Sequence, residues 1–255
     1  MEIYPGSAVD PIVVPGRQLG WRSAILSILA IIIFLPATLF AYDFEGTVKV
    51  AGPVPIAPLI PVDEKHVAAC GKAQESPSLI VGGGGVLQNA VVSLEPLDTL
   101  DPSDAPGASD KVTLVLDQTN CRFSPHVLIV PVGEAFLVTN HDPMDHDVRT
   151  FSGAEIISRF ETPPFSKPVE QKLDKAGTYV VRCGLHKWMH AFVIASEHPF
   201  YAVTGPGGTF KINNLPPGKY RLHIWHERLG EHEEPVEISG VVNDFSFSFP
   251  EENGA

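Results

Sequence analysis

Beyond residue 41 the chain alternates short runs rich in Val, Ile, Phe and Tyr with clusters of Gly, Pro, Asn and Asp. Apolar residues at alternate positions between turn residues mark half-buried strands. The pattern predicts strands at Phe44–Val50, Ser78–Val81, Val86–Leu94, Lys111–Asp117, His126–Val130, Ala135–Asn140 and Val169–Leu173. It predicts six more at Thr178–Arg182, Ala191–Ala195, Tyr201–Thr204, Thr209–Ile212, Tyr220–Trp225 and Phe245–Phe249. In the last of these, Phe245, Phe247 and Phe249 should face one core. No stretch after Ala41 carries a convincing amphipathic helical stripe. Asp98–Asp110 (DTLDPSDAPGASD) is polar and Pro-rich and reads as a linker. Pro53–Pro61 carries four prolines and reads as extended. The fold class is all-β.

One run breaks the pattern. No charge occurs from Ala24 to Ala41, and Arg17 and Arg22 precede it. Such a run is long enough to cross a bilayer, and the basic residues favour an N-in orientation. Residues 1–41 therefore read as a signal peptide or an N-terminal hydrophobic helix that anchors the chain in a membrane. Either places the rest in the periplasm or another extracytoplasmic, oxidising compartment. The 255 residues give room for one large domain or two small ones. Charged residues make up 19%, with 22 Gly and 24 Pro, which excludes a coiled coil and a disordered acidic chain. A net charge of −12 leaves no basic face for nucleic acid.

From Tyr201 the chain reads YAVT, GPGG, TFKI, then NLPPGKYRLHIW. This resembles the carboxypeptidase regulatory-like domain, a small transthyretin-like β-sandwich with a GxF…LPPGxYxL hairpin. FEGTVKV at Phe44–Val50 and LQNAVVSLEP at Leu87–Pro96 are similar to that family's opening strands. In the family the hairpin follows soon afterwards, whereas here a stretch the size of a small domain intervenes. The resemblance thus implies a split sandwich, residues 42–97 and 198–255, with a second domain at 98–197 inserted into one of its loops.

The inserted stretch carries the chemistry. Cys183-Gly-Leu-His186-Lys-Trp-Met189-His190 lies between two predicted strands, and Asn140-His141-Asp142-Pro-Met-Asp-His146-Asp147 follows a third. One thiolate, two imidazoles and a thioether are the donor set of an electron-transfer copper site. The pattern resembles the cupredoxin family, the plastocyanin- and amicyanin-like blue copper proteins, over about Lys111 to Ser196. Cys183-x-x-His186-x-x-Met189 is similar to the compact amicyanin-like loop. The resemblance implies a Greek-key sandwich holding one copper ion, with His146, Cys183 and His186 equatorial and Met189 axial. It implies that the Asp147 N–H faces the thiolate, though Asp stands where the family usually has Asn. That substitution predicts a lost side-chain brace and a negative charge close to copper. His190 is the expected electron exit, with a substitute ligand as the alternative, and His141 a rim residue. With Cys183 given to copper, export lets Cys70 and Cys121 form a disulfide; two isolated thiols are the alternative. His126 reads as structural, and His226 and His232 as solvated or hydrogen-bonded.

Zinc is the rival metal, but structural zinc takes four strong ligands, and a thioether is a poor fourth. No His-x-His pair, Gly-x-Ser-x-Gly elbow or phosphate loop occurs, which argues against a multicopper oxidase, a serine hydrolase and an NTPase. The expected function is single-electron transfer between redox proteins rather than enzymatic catalysis. The alternatives are a copper-handling module without a redox partner, or an adhesion or scaffold sandwich with a decayed metal site.

Overall fold

Apolar positions on one or both faces of each strand decide how the sheets stack. The computed structural model describes residues 41–53, 57–98 and 113–250. Its first strands are β1 (Tyr42–Val50), β2 (Leu59–Pro61), β3 (Ala73–Glu75) and β4 (Val91–Pro96). The middle of the chain forms β5 (Val115–Thr119), β6 (Arg122–Ser124), β7 (Val127–Pro131), β8 (Ala135–Asn140) and β9 (His146–Ser152). It continues with β10 (Glu155–Thr162), β11 (Val169–Lys172), β12 (Gly177–Cys183) and β13 (His190–Ser196). The last strands are β14 (Tyr201–Val203), β15 (Thr209–Leu215), β16 (Gly218–His226), β17 (Gly230–Ile238) and β18 (Val242–Phe249). A 3-10 turn at Glu64–His66 leads into the short helix α1 (Val67–Cys70), between β2 and β3.

Two pairs of sheets result. The order β11-β8-β5-β6 faces β10-β9-β12-β13-β7 across a core that includes Leu116, Phe136, Val138, Val148, Val181 and Val193. The order β14-β4-β16-β17 faces β15-β1-β18 across a second core around Phe44, Val48, Leu94, Tyr220, Leu222 and Ile224. The first pair is continuous in sequence; the second combines strands from both ends of the described chain. Phe249 is buried in the second core, with Phe245 and Phe247 packed against it.

The two pairs meet face to face. Val91, Val127 and Ile129 form a third buried cluster with Phe192, Ile194, Tyr201 and Trp225. The Phe192 and Trp225 rings meet edge-to-face, 5.0 Å apart. In β7, Val127, Leu128, Ile129 and Val130 are all buried, two on each face. That is why this strand reads as an unbroken apolar run and pairs in parallel with β13.

Three long strands lie where the apolar pattern predicts none: β9, β10 and β17. β10 and β17 are sheet edges with mostly exposed side chains, and β17 carries Glu231, Glu233, Glu234, Pro235 and Glu237. Charges and proline are how edge strands resist pairing with another chain, and they also erase the apolar alternation. Ser78–Val81 contributes no strand, only an isolated bridge at Val81. The linker expected at Asp98–Asp110 lies outside the described residues apart from Asp98. So does the N-terminal hydrophobic helix, apart from Ala41. The expectation of a transmembrane segment finds no counterpart in the structure: among the described residues, which do not include 1–40, no helix is long and apolar enough to cross a membrane.

Cys70 and Cys121 are joined in a disulfide, their Cα atoms 5.4 Å apart, and Cys183 is free and buried. The bond ties the α1 segment to the β5–β6 turn. A sequence separation of 51 corresponds to about 4 kcal/mol of loop-closure entropy. Replacing both cysteines by serine is expected to lower unfolding stability by about that amount, read from urea titrations of the two proteins. Thiol titration of unfolded, metal-free wild-type protein should find one reactive thiol.

Candidate metal centre

The first arm of the site is the turn after β8. Asn140 donates from Nδ2 to the carbonyls of Met144 (2.9 Å) and Thr162 (2.8 Å), and its Oδ1 accepts the Asp142 N–H (2.9 Å). Asn is suited to this because one side chain offers both donors and an acceptor. Asp142 Oδ2 in turn accepts the Cys121 N–H at 2.9 Å and stands 3.0 Å from His146 Nε2. A carboxylate at Nε2 fixes the imidazole tautomer and leaves Nδ1 with a free lone pair.

The second arm is the loop between β12 and β13. The Met189 N–H donates to the His186 carbonyl (3.0 Å) and the Cys183 N–H to the Met189 carbonyl (3.1 Å). The Gly184 N–H donates to the Asp147 carbonyl at 2.7 Å, tying the loop to β9. A Cβ at 184 would meet the Asp147 carboxylate and the Arg149 guanidinium, so a larger residue there has to displace that ion pair.

The arms bring three donor atoms together. His146 Nδ1 and His186 Nδ1 are 3.1 Å apart, and Cys183 Sγ lies 3.7 Å and 3.3 Å from them. An ion at the centre of that triangle would sit about 2.0 Å from each atom, the scale of a metal–imidazole bond. His146 and His186 are fully buried, Met189 is 2% exposed and Cys183 6%. Burial alone would raise the Cys183 pKa. Hydrogen bonds from His146, His186 and the Leu185 and Asp147 backbone bring it down to about 6. Burial would lower the His146 pKa, but its bonds to Asp142 and Cys183 raise it to about 9. The pocket thus favours a thiolate, the form that binds metal.

His186 has no exposed edge. The His66 ring lies 4.5 Å from it, edge-to-face, and the Trp188 ring 5.1 Å. Trp188 is itself held by a 3.0 Å bond from Nε1 to the Cys121 carbonyl. His186 Nε2 is buried with no hydrogen-bond partner. Nothing in the sequence pattern pointed to His66 as a neighbour of this site.

Asp147 corrects one expectation. Its side chain is 6% exposed and accepts bonds from Arg149 Nε (2.9 Å) and Arg159 Nε (3.0 Å). Burial would raise its pKa, but the two guanidinium groups hold it below the usual carboxylate range. Its charge is therefore compensated, and the carboxylate itself braces β9 and β10. His190 stands 3.0 Å from Glu227 Oε2, with His126 2.5 Å from Oε1 of the same carboxylate. His126, read as structural from the sequence, thus joins a second cluster. His141 is exposed and pairs with Asp117, as a rim residue would. His226 is buried and hydrogen-bonded, its Nδ1 accepting the Arg228 N–H at 3.3 Å, and burial lowers its pKa to about 4.

No protein-family description and no curated protein matches the chain. Among solved structures, a copper-containing nitrite reductase from Thermus scotoductus SA-01 is 24% identical, covering 39% of this chain and 27% of that one, with a TM-score of 0.30. A purple cupredoxin from Nitrosopumilus maritimus is 23% identical, covering 34% of this chain and all of the other, at 0.29. Amicyanin from Paracoccus versutus is 17% identical, covering 41% and 97%, at 0.31. The chain spans about a quarter of the nitrite reductase.

In metal-free protein, ultraviolet thiolate absorbance should titrate with a midpoint near 6. Because the folded value lies below that of an ordinary thiol, the stabilisation it brings is present at high pH and lost as pH falls through about 6. Replacing His146 by Gln should move the midpoint up by about one unit or more. A wild-type midpoint near that of a free thiol would show that the pairing is absent.

Proposed function

We propose that this protein is an exported mononuclear copper protein that passes single electrons between redox partners. The observation that carries this reading is the convergence of Cys183 Sγ, His146 Nδ1 and His186 Nδ1 in a buried pocket, on a loop that also holds buried Met189. Thiolate and imidazole donors with a weak thioether suit copper in both oxidation states. When bound, copper supplies the one-electron couple. The residues' part is to hold three donors nearly fixed, so that little reorganises when the charge changes, and to keep water away.

His146, Cys183 and His186 would be the equatorial ligands and Met189 the axial one. The turn around Asn140 and Asp142 orients His146; Gly184 and the Asp147 backbone orient Cys183. His190 supports an exit role, because its side chain keeps 21% exposure while His186 has none. The disulfide agrees with an oxidising, extracytoplasmic compartment. We assign the copper site to a domain at 98–197. We read the flanking segments as a regulatory-like sandwich; the support is the LPPGKY turn between β15 and β16.

Adding Cu(II) to the purified protein lacking residues 1–41 should give an intense visible thiolate-to-copper band that ascorbate bleaches and ferricyanide restores. Cys183→Ser should abolish it. Met189→Leu should keep the band and raise the potential, since loss of the thioether disfavours Cu(II). An unchanged potential in that variant would remove Met189 from the ligand set. Tight Cu(I) binding without a reversible coloured form would move the assignment to copper handling.

A further inference from the structure

We propose that His126, His190 and Glu227 form a second metal site, for one divalent first-row transition ion, with a coordination position open to the adjoining cavity. The three residues come from different elements. His126 immediately precedes β7, His190 opens β13, and Glu227 follows β16 in the other pair of sheets. The Phe192 N–H to His126 carbonyl bond (2.9 Å) keeps the two imidazole-bearing strand ends side by side, and the rings stand 5.1 Å apart. Glu227 divides its oxygens between them, Oε1 at 2.5 Å from His126 Nε2 and Oε2 at 3.0 Å from His190 Nε2. The donor atoms all lie within 4.8 Å of one another.

Two neutral imidazoles and one carboxylate make a donor set of charge −1 that a divalent cation completes. Structural zinc is closed by four strong protein ligands, whereas catalytic ions keep three plus an exchangeable position. Here Ser78 Oγ, 3.3 Å from His190 Nε2, is the further polar neighbour. A cavity of about 280 Å³, lined by both histidines, Met189 and Asn89, adjoins the cluster and gives room for water or a small ligand. Asn89 Nδ2 is buried there without a partner. The sequence step from Met189 to His190 puts this site one residue from the thioether of the first, yet the two share no ligand.

Zinc(II) is the probe that tests this without redox chemistry. The full chain carrying Cys183→Ser is titrated by calorimetry, and metal is counted after desalting. One ion per chain is expected, with affinity falling about 100-fold or more when Glu227→Gln or His126→Ala is added. No saturable binding, or binding that both added substitutions leave unchanged, would overturn the proposal. Electron paramagnetic resonance of the protein with Cys183 intact, loaded with Cu(II), separates the two sites. A second, tetragonal copper signal should appear beside the first and vanish in Glu227→Gln, while the visible band stays. Loss of the visible band alone would count against the first site and leave this one standing.

Discussion

Double burial of the inner strands is the constraint from which the rest follows. β7 and β13 have an apolar face toward each of two neighbouring layers, and so do β4 and β16. A strand buried on both faces cannot end a stack, so each inner sheet needs another against its second side. The Phe192–Trp225 contact sits in that shared layer. One result is that β9 and β12, which carry His146 and Cys183, and β13, which anchors the far end of the His186–Met189 loop, belong to a sheet supported on both sides. Another is that Glu227, on a different pair of sheets, meets His126 and His190.

Within the site, charge burial is handled locally. A thiolate, an imidazole and the Asp142 carboxylate are buried together, and each has a partner of opposite sign or an N–H donor. Isolated buried charges would be prohibitive; hydrogen-bonded pairs are tolerable. Asp147 follows the same rule with Arg149 and Arg159. A metal cation would take the place of the proton shared among His146, Cys183 and His186.

Much of this was legible in the sequence, and the failures have physical causes. The Cys183–Met189 spacing and the Asn140–His146 turn could be read because local backbone geometry fixes them. β10 and β17 were hidden because charged edge strands lack apolar alternation. Asp147 was misjudged because β9, which puts Arg149 on its face two residues on, and β10, whose pairing brings Arg159 in, both lack the apolar pattern that predicts a strand. Glu227 and His66 come from distant segments that bear no motif; only the stacking of layers and the staple at Cys70 bring them near.

The cover over His186 has a consequence for traffic between molecules. His66 and Trp188 insulate that imidazole, and the Cys70–Cys121 bond pins the covering segment in place. Tunnelling weakens exponentially with each added layer of atoms. Two copies of the chain cannot touch ring edge to ring edge at His186, so under the proposed function exchange between identical molecules would be left to the partly exposed His190.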